Sequence, residues 1–134
     1  MQSLEQQYAA TIYGQISKYP ASLPETSAER KRYGSMAHKL PILVHQAGLV
    51  QALAFVQSRN KVPYDRLLEH LAVAVGETDT SQLFERSRSA PLSEYIYLTE
   101  RVMLALKWYK RFAQSVLKVD STEEAETETG EGNG

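Results

Sequence analysis

The stretch Lys39–Val56, KLPILVHQAGLVQALAFV, decides how this chain folds. Only Lys39 in it carries a full charge, yet Pro41, His45, Gln46, Gly48 and Gln51 interrupt it. A membrane span needs roughly 20 predominantly apolar residues in a row, and these interruptions leave only short apolar runs. The stretch therefore predicts two helices rather than one span. The first passes Pro41 with a kink and ends at Gly48, and the second follows at once. Pro41 has no amide hydrogen and Gly48 can adopt positive φ, so each punctuates where a helical hairpin needs it. Leu49–Val56 is apolar on nearly every side, with Gln51 as its polar exception, which predicts a helix buried on more than one face.

The flanking segments also read as helices, and none has the alternation of a strand. Ser3 with Gln6 forms a capping-box pattern ahead of Leu4, Tyr8, Ile12, Ile16 and Tyr19, which mark one face. Pro20 and Pro24 hold a loop. Thr26 with Glu29 predicts a second capping box, opening a helix through Arg30, Tyr33, Met36, Ala37 and Leu40 into the hairpin. Pro63 suits the first turn of a helix with Leu67, Leu68, Leu71, Ala72 and Val75 on its apolar face and Gly76 at its end. Asp79 and Gln82 cap a short helix, and Pro91 starts the longest one, expected to run to about Val119. The predicted fold is all-α, a compact bundle of about five or six helices with a long C-terminal helix.

The 134 residues fit one domain with a real core. The formal charge of −1 conceals an asymmetry. Beyond Val119 the segment DSTEEAETETGEGNG carries six acidic residues and no basic one. Without it the body holds 15 basic residues against 10 acidic ones (16 less the six), a net of +5. The organisation expected is a helical domain over 1–119 and an acidic disordered tail over 120–134. A moderately basic body is compatible with a nucleic-acid partner. The absence of cysteine excludes a disulfide framework and a thiolate metal site, which suits a cytoplasmic location. The first residues show neither the basic start nor the apolar run of a secretory signal.

Catalytic chemistry finds little support. No Glu or Asp lies between Lys31 and Asn60, so His38 and His45 have no local carboxylate, and no spacing fits a zinc site. The carboxylate pairs Glu25/Glu29 and Asp65/Glu69 sit among Arg and Lys, as on a solvated helix surface. Neither a nucleophile elbow nor a phosphate-binding glycine loop occurs. A helix-turn-helix over Tyr64–Arg88 would push Asp79, Gln82 and Glu85 into the inter-helix core, which argues against it. No cofactor, metal or small-molecule substrate is expected, and no membrane partner.

Binding chemistry has more to build on. Arg30, Lys31 and Arg32 are consecutive, and Lys39 lies near the azimuth of Arg32 two turns on. Arg59 and Lys61 end the hairpin, while Lys107, Arg111 and Lys118 share a band of the last helix. These groups suit either a phosphate-contacting surface or an ordinary solvated face. On the same last helix Tyr97, Leu104 and Trp108 fall outside the broad apolar face, beside Arg101. That stripe has the composition of a protein contact. It would look the same if another helix of the domain covered it.

The series Lys39-Leu40-Pro41, Gly48-Leu49, Gln51 and Leu53-Ala54-Phe55 resembles the fifth Cmr subunit, the small all-helical subunit of type III-B CRISPR effector complexes. Length, an N-terminal helix and a long C-terminal helix extend the likeness over residues 1–119. The resemblance implies a non-catalytic subunit that stacks with further copies of itself beside the guide-RNA backbone and helps to bind target RNA in antiviral defence. Other Cmr subunits, guide RNA and target RNA would be its partners. Lys39 would then be the first candidate for a backbone phosphate, followed by Arg30, Arg32, Arg59, Lys107 and Arg111. Gln51 could face RNA or a neighbouring subunit, or bond within the hairpin. Tyr97, Leu104 and Trp108 would face protein. The alternative is a helical protein–protein adaptor without nucleic-acid contact.

Overall fold

A computed structural model describes residues 1–121, and among them six helices and no strand are present. They are α1 (Leu4–Lys18), α2 (Ala28–Ala47), α3 (Leu49–Ser58), α4 (Val62–Ala74), α5 (Thr80–Ser89) and α6 (Leu92–Ser115). No helix in this range is long and apolar enough to cross a membrane. The acidic tail expected over 120–134 lies, from residue 122 onward, outside the described residues.

Helix α2 is the axis of the bundle and packs against α3, α4 and α6. Every residue from Tyr33 to His38 is buried, so this part of α2 has no solvent face. It runs through Pro41 without a break, as expected. The absent proline amide leaves the Ala37 carbonyl without its usual helical donor. Its start differs from expectation by one residue. Ser27, not Thr26, is the N-cap, its Oγ accepting from Arg30 N at 3.3 Å.

Gly48 ends α2 and begins α3 with φ 88° and ψ 160°, a conformation open to glycine and strained for other residues. No side chain of the hairpin caps α3. The Tyr95 hydroxyl, brought in by α6, accepts from Leu49 N at 3.0 Å instead. This tertiary cap satisfies one of the donors that a helix start leaves open. Expectation and structure part at α3 itself. Leu49, Ala52, Leu53 and Val56 are buried, but Gln51 and Ala54 are exposed and Phe55 is half-buried. Its surroundings in α2, α4 and α5 cover one face only, so the apolar density of LVQALAFV overstates its burial.

The other starts follow their signals. Ser3 and Gln6 form the full capping box of α1, Pro63 stands in the first turn of α4, and Asp79 accepts from Gln82 N at 2.8 Å ahead of α5. Helix α6 stops at Ser115, short of the expected Val119. Lys118 takes a positive φ of 63°, and the chain folds back so that Leu117 and Val119 are buried off the helix. Val119 lies against Gly34, where a Cβ would come within 2.7 Å of the valine Cβ. His38 Nε2 and the Val119 carbonyl, 2.8 Å apart, hold the same corner.

Three tyrosines, Tyr33, Tyr64 and Tyr109, are fully buried. Tyr109 donates to Gln15 Oε1 at 2.6 Å, and Gln15 Nε2 donates to the His70 carbonyl at 2.9 Å. Tyr33 Oη lies 2.8 Å from His70 Nδ1. Helices α1, α2, α4 and α6 are thus tied by polar contacts inside an apolar core.

Candidate nucleic-acid interface

The reversal at Gly48 lays α3 back along α2 and sets Phe55 beside Lys39. Lys39 Nζ lies 5.6 Å from the Phe55 ring centroid, and Arg59 Cζ lies 5.8 Å from it. The three side chains are half-buried, and cation–π contacts open to solvent contribute about 0.5–1 kcal/mol each, enough to hold two long side chains over one ring. Gln51 stands one turn before Phe55 and Arg59 one turn after, so the three share a side of α3. Lys61 follows in the connection to α4. Two residues singled out separately in the sequence, Lys39 and Arg59, therefore meet at one aromatic ring, with Gln51 on the same side of α3. Phe55 itself was not among the sequence candidates, although its spacing of four from Gln51 and Arg59 could have marked it.

Arg32 lies two turns before Lys39 on the unbroken α2 and extends the same side by about 10 Å. Arg30 does not belong with them. It is only 7% exposed, and its guanidinium donates five bonds to four main-chain carbonyls. Ala21 and Leu23 of the α1–α2 connection accept at 3.1 and 2.7 Å. Val116 and Leu117 after α6 accept at 3.2–3.3 Å. Arg30 is the clamp that closes the end of the bundle, a cation placed where the C-terminal end of α6 favours one. Its chemistry is spent inside the body.

A second basic group stands on α6, where Lys107, Lys110, Arg111 and Gln114 line a shallow depression. Lys107 is ion-paired with Glu5 of α1, whereas Lys110 and Arg111 are exposed. Lys110 was missed because it sits outside the narrow band shared by Lys107 and Arg111. Lys118, expected in that band, has left the helix with the fold-back. The two basic groups ride on different helix pairs, α2/α3 and α1/α6.

The Tyr97–Leu104–Trp108 stripe is divided by the structure. Leu104 and Trp108 are half-buried. Trp108 stacks on Phe112 at 5.6 Å, and Phe112 meets Tyr13 of α1 edge-on at 5.5 Å. Arg101 Nε donates to the Tyr8 hydroxyl at 2.9 Å, which fastens α6 to α1 nearby. Tyr97 is 58% exposed and has exposed Leu92 and Ile96 on the same end of α6. Those two neighbours escaped notice because polar Ser93 and Glu94 stand between them.

Among the described residues no group of three or more His, Cys, Asp or Glu side chains is placed to hold a metal. His70 stands half-buried on α4. Burial chiefly, with the Arg66 charge adding to it, lowers its pKa to about 4, so the ring is neutral at pH 7 and bonded to Tyr33.

The surface of this small helical body carries cations and an aromatic ring, and its buried polar groups serve packing. Comparison with known proteins gives the family. The model of the CRISPR-associated protein family Cas_Cmr5 matches residues 4–116. The chain is 48% identical over 89 residues to the CRISPR system Cmr subunit Cmr5 of Thermus thermophilus, covering 66% of this chain and 78% of that one. It is also similar to a crystal structure of a Cmr5 family protein from Thermus thermophilus. That likeness has a TM-score of 0.78 at 41% identity and covers 87% of this chain and 98% of that one. The chain belongs to the Cmr5 family and is a subunit type of the CRISPR Cmr system.

Proposed function

We propose that this chain is a non-catalytic small subunit of a type III-B effector complex, stacking with its own copies beside the guide-RNA backbone and contributing to the hold on target RNA. The observation that carries the RNA part is the cluster in which Lys39 and Arg59 flank the half-buried Phe55 ring, with exposed Gln51 on the same side of the hairpin. Such a surface contacts phosphates without reading bases, which suits a subunit in a complex whose specificity comes from guide pairing. Lys110 and Arg111 supply a second contact, and the exposed end of α6 at Leu92, Ile96 and Tyr97 supplies the contact to protein neighbours.

One subunit neutralises few phosphates, so its own affinity is weak and salt-sensitive, and stacked copies gain by multivalency. The test is fluorescence anisotropy of a guide–target RNA duplex against increasing salt. Lys39→Glu should weaken binding about tenfold at low salt and reduce the salt slope by about one, with melting lowered by only about 2–4 °C for the lost contact with Phe55. Binding that is unaffected by Lys39→Glu and Arg59→Glu, or absent at every salt concentration even beside the other subunits, sinks the RNA part. In that case the protein–protein adaptor reading, carried by the exposed apolar end of α6, takes its place.

A further inference from the structure

The most strongly charged part of the chain is residues 122–134, with Glu123, Glu124, Glu126, Glu128 and Glu131 and no basic residue. The body delivers that segment to one place. Val119 is buried against Gly34, and its carbonyl pairs with His38 Nε2 at 2.8 Å. Asp120 and Ser121 follow, both exposed. His38 is the residue before Lys39 on α2, so the chain leaves the body next to the cation that shares Phe55 with Arg59.

From this corner we infer that the acidic segment 122–134 docks on the Lys39–Phe55–Arg59 cluster of its own chain and competes there with RNA phosphates. The inference rests on the reading of that cluster as a phosphate-contacting surface. Three observations favour this occupant. Charge is complementary, five carboxylates against Lys39, Arg59 and the adjacent Lys61. Reach is ample, since a chain of the length of residues 122–134 can span at most about 45 Å while a helix with its side chains is only about 10–12 Å across. The point of departure also favours this cluster over the α6 group, because Val119 is held at His38, one residue before Lys39 on α2.

A short tether gives the segment an effective concentration of the order of millimolar, so contacts too weak to hold a free peptide still compete. The consequence is a filter. A lone subunit is shielded from stray RNA, and the many-phosphate contact of an assembled complex displaces the segment.

The test compares the full chain with a full-length variant carrying Glu123→Gln, Glu124→Gln, Glu126→Gln, Glu128→Gln and Glu131→Gln. Without RNA at about 50 mM salt, neutralisation should move the NMR resonances of Lys39, Gln51, Phe55 and Arg59, independently of protein concentration. The variant should bind a guide–target RNA duplex about three- to tenfold more tightly, and the gain should vanish at about 500 mM salt. Shifts at Lys107, Lys110 and Arg111 instead would overturn the inference, as would shifts that grow with concentration and so report a neighbouring copy. A gain in affinity with no shifts overturns it too, because it reports long-range repulsion without docking. Cluster shifts with no RNA binding by either form leave docking intact and remove the RNA reading. Equal RNA binding by both forms, lost on Lys39→Glu and without cluster shifts, does the reverse.

Discussion

Replacement of Arg30 by alanine separates structural cations from binding cations in this fold. Arg30 is 7% exposed and donates five bonds to the carbonyls of Ala21, Leu23, Val116 and Leu117. Hydrogen bonds to a charged group contribute about 1.5–3 kcal/mol each when measured singly, but those sharing one side chain do not add. Two of the five, both to Leu117, are buried, so that carbonyl loses its donor away from water. The other acceptors are part-buried and recover water once the side chain is gone. One buried orphan plus the lost packing of a long stem gives a cost of about 3 kcal/mol, or a fall of roughly 10 °C in melting temperature for a body of this size. Urea unfolding followed through Trp108, the single tryptophan, reads the loss directly. Arg30→Lys should recover only part of it, because an ammonium cannot fork across both segments. A cost below about 1 kcal/mol together with RNA binding weakened as strongly as by Lys39→Glu would refute the clamp.

Other substitutions test the corners of the bundle. Gly48→Ala puts a side chain on φ 88° and should cost about 1–3 kcal/mol, measured by chemical denaturation, with the hairpin register kept by Tyr95. Gly34→Ala drives a Cβ to within 2.7 Å of the Val119 Cβ and should expose residues 117–119 to hydrogen exchange, and Val119→Gly should relieve it. Stability should also fall as pH drops from 6.5 towards 4. In that window the unfolded chain protonates His70 while the folded chain, with its pKa lowered to about 4, holds the ring neutral. The loss is of the order of 1–2 kcal/mol after discounting for solvent reaching the half-buried ring, and His70→Gln should flatten it in melting curves taken across that range.

Most of the helix pattern was readable because its punctuation is local. Ser3 with Gln6, Gly48, Pro63 and Asp79 act through backbone atoms a few residues away, and each does so where its position indicated. Apart from the one-residue shift of the α2 cap to Ser27, the errors arise where distant segments decide. Val116, Leu117 and Val119 are apolar enough to continue α6, and nothing near them marks the turn at Lys118 that folds them onto α2. Arg30 reads as one of three basic neighbours, yet its partners Val116 and Leu117 lie 86 and 87 residues away. Of the binding candidates, Lys39, Gln51 and Arg59 carry polarity that stands out in an apolar hairpin. Phe55 does not, because an aromatic in such a run reads as core until the bundle leaves its ring half-uncovered.

The cluster around Phe55 is the centre of the functional account, and its place in the assembled complex can be measured directly. A photo-crosslinking phenylalanine analogue at position 55, built into the complete effector complex with guide and labelled target RNA, reports what lies against that ring. The account predicts crosslinks to RNA that decline as salt rises and that Lys39→Glu weakens. Crosslinks to protein subunits alone, unchanged by target RNA or by Lys39→Glu, would contradict it.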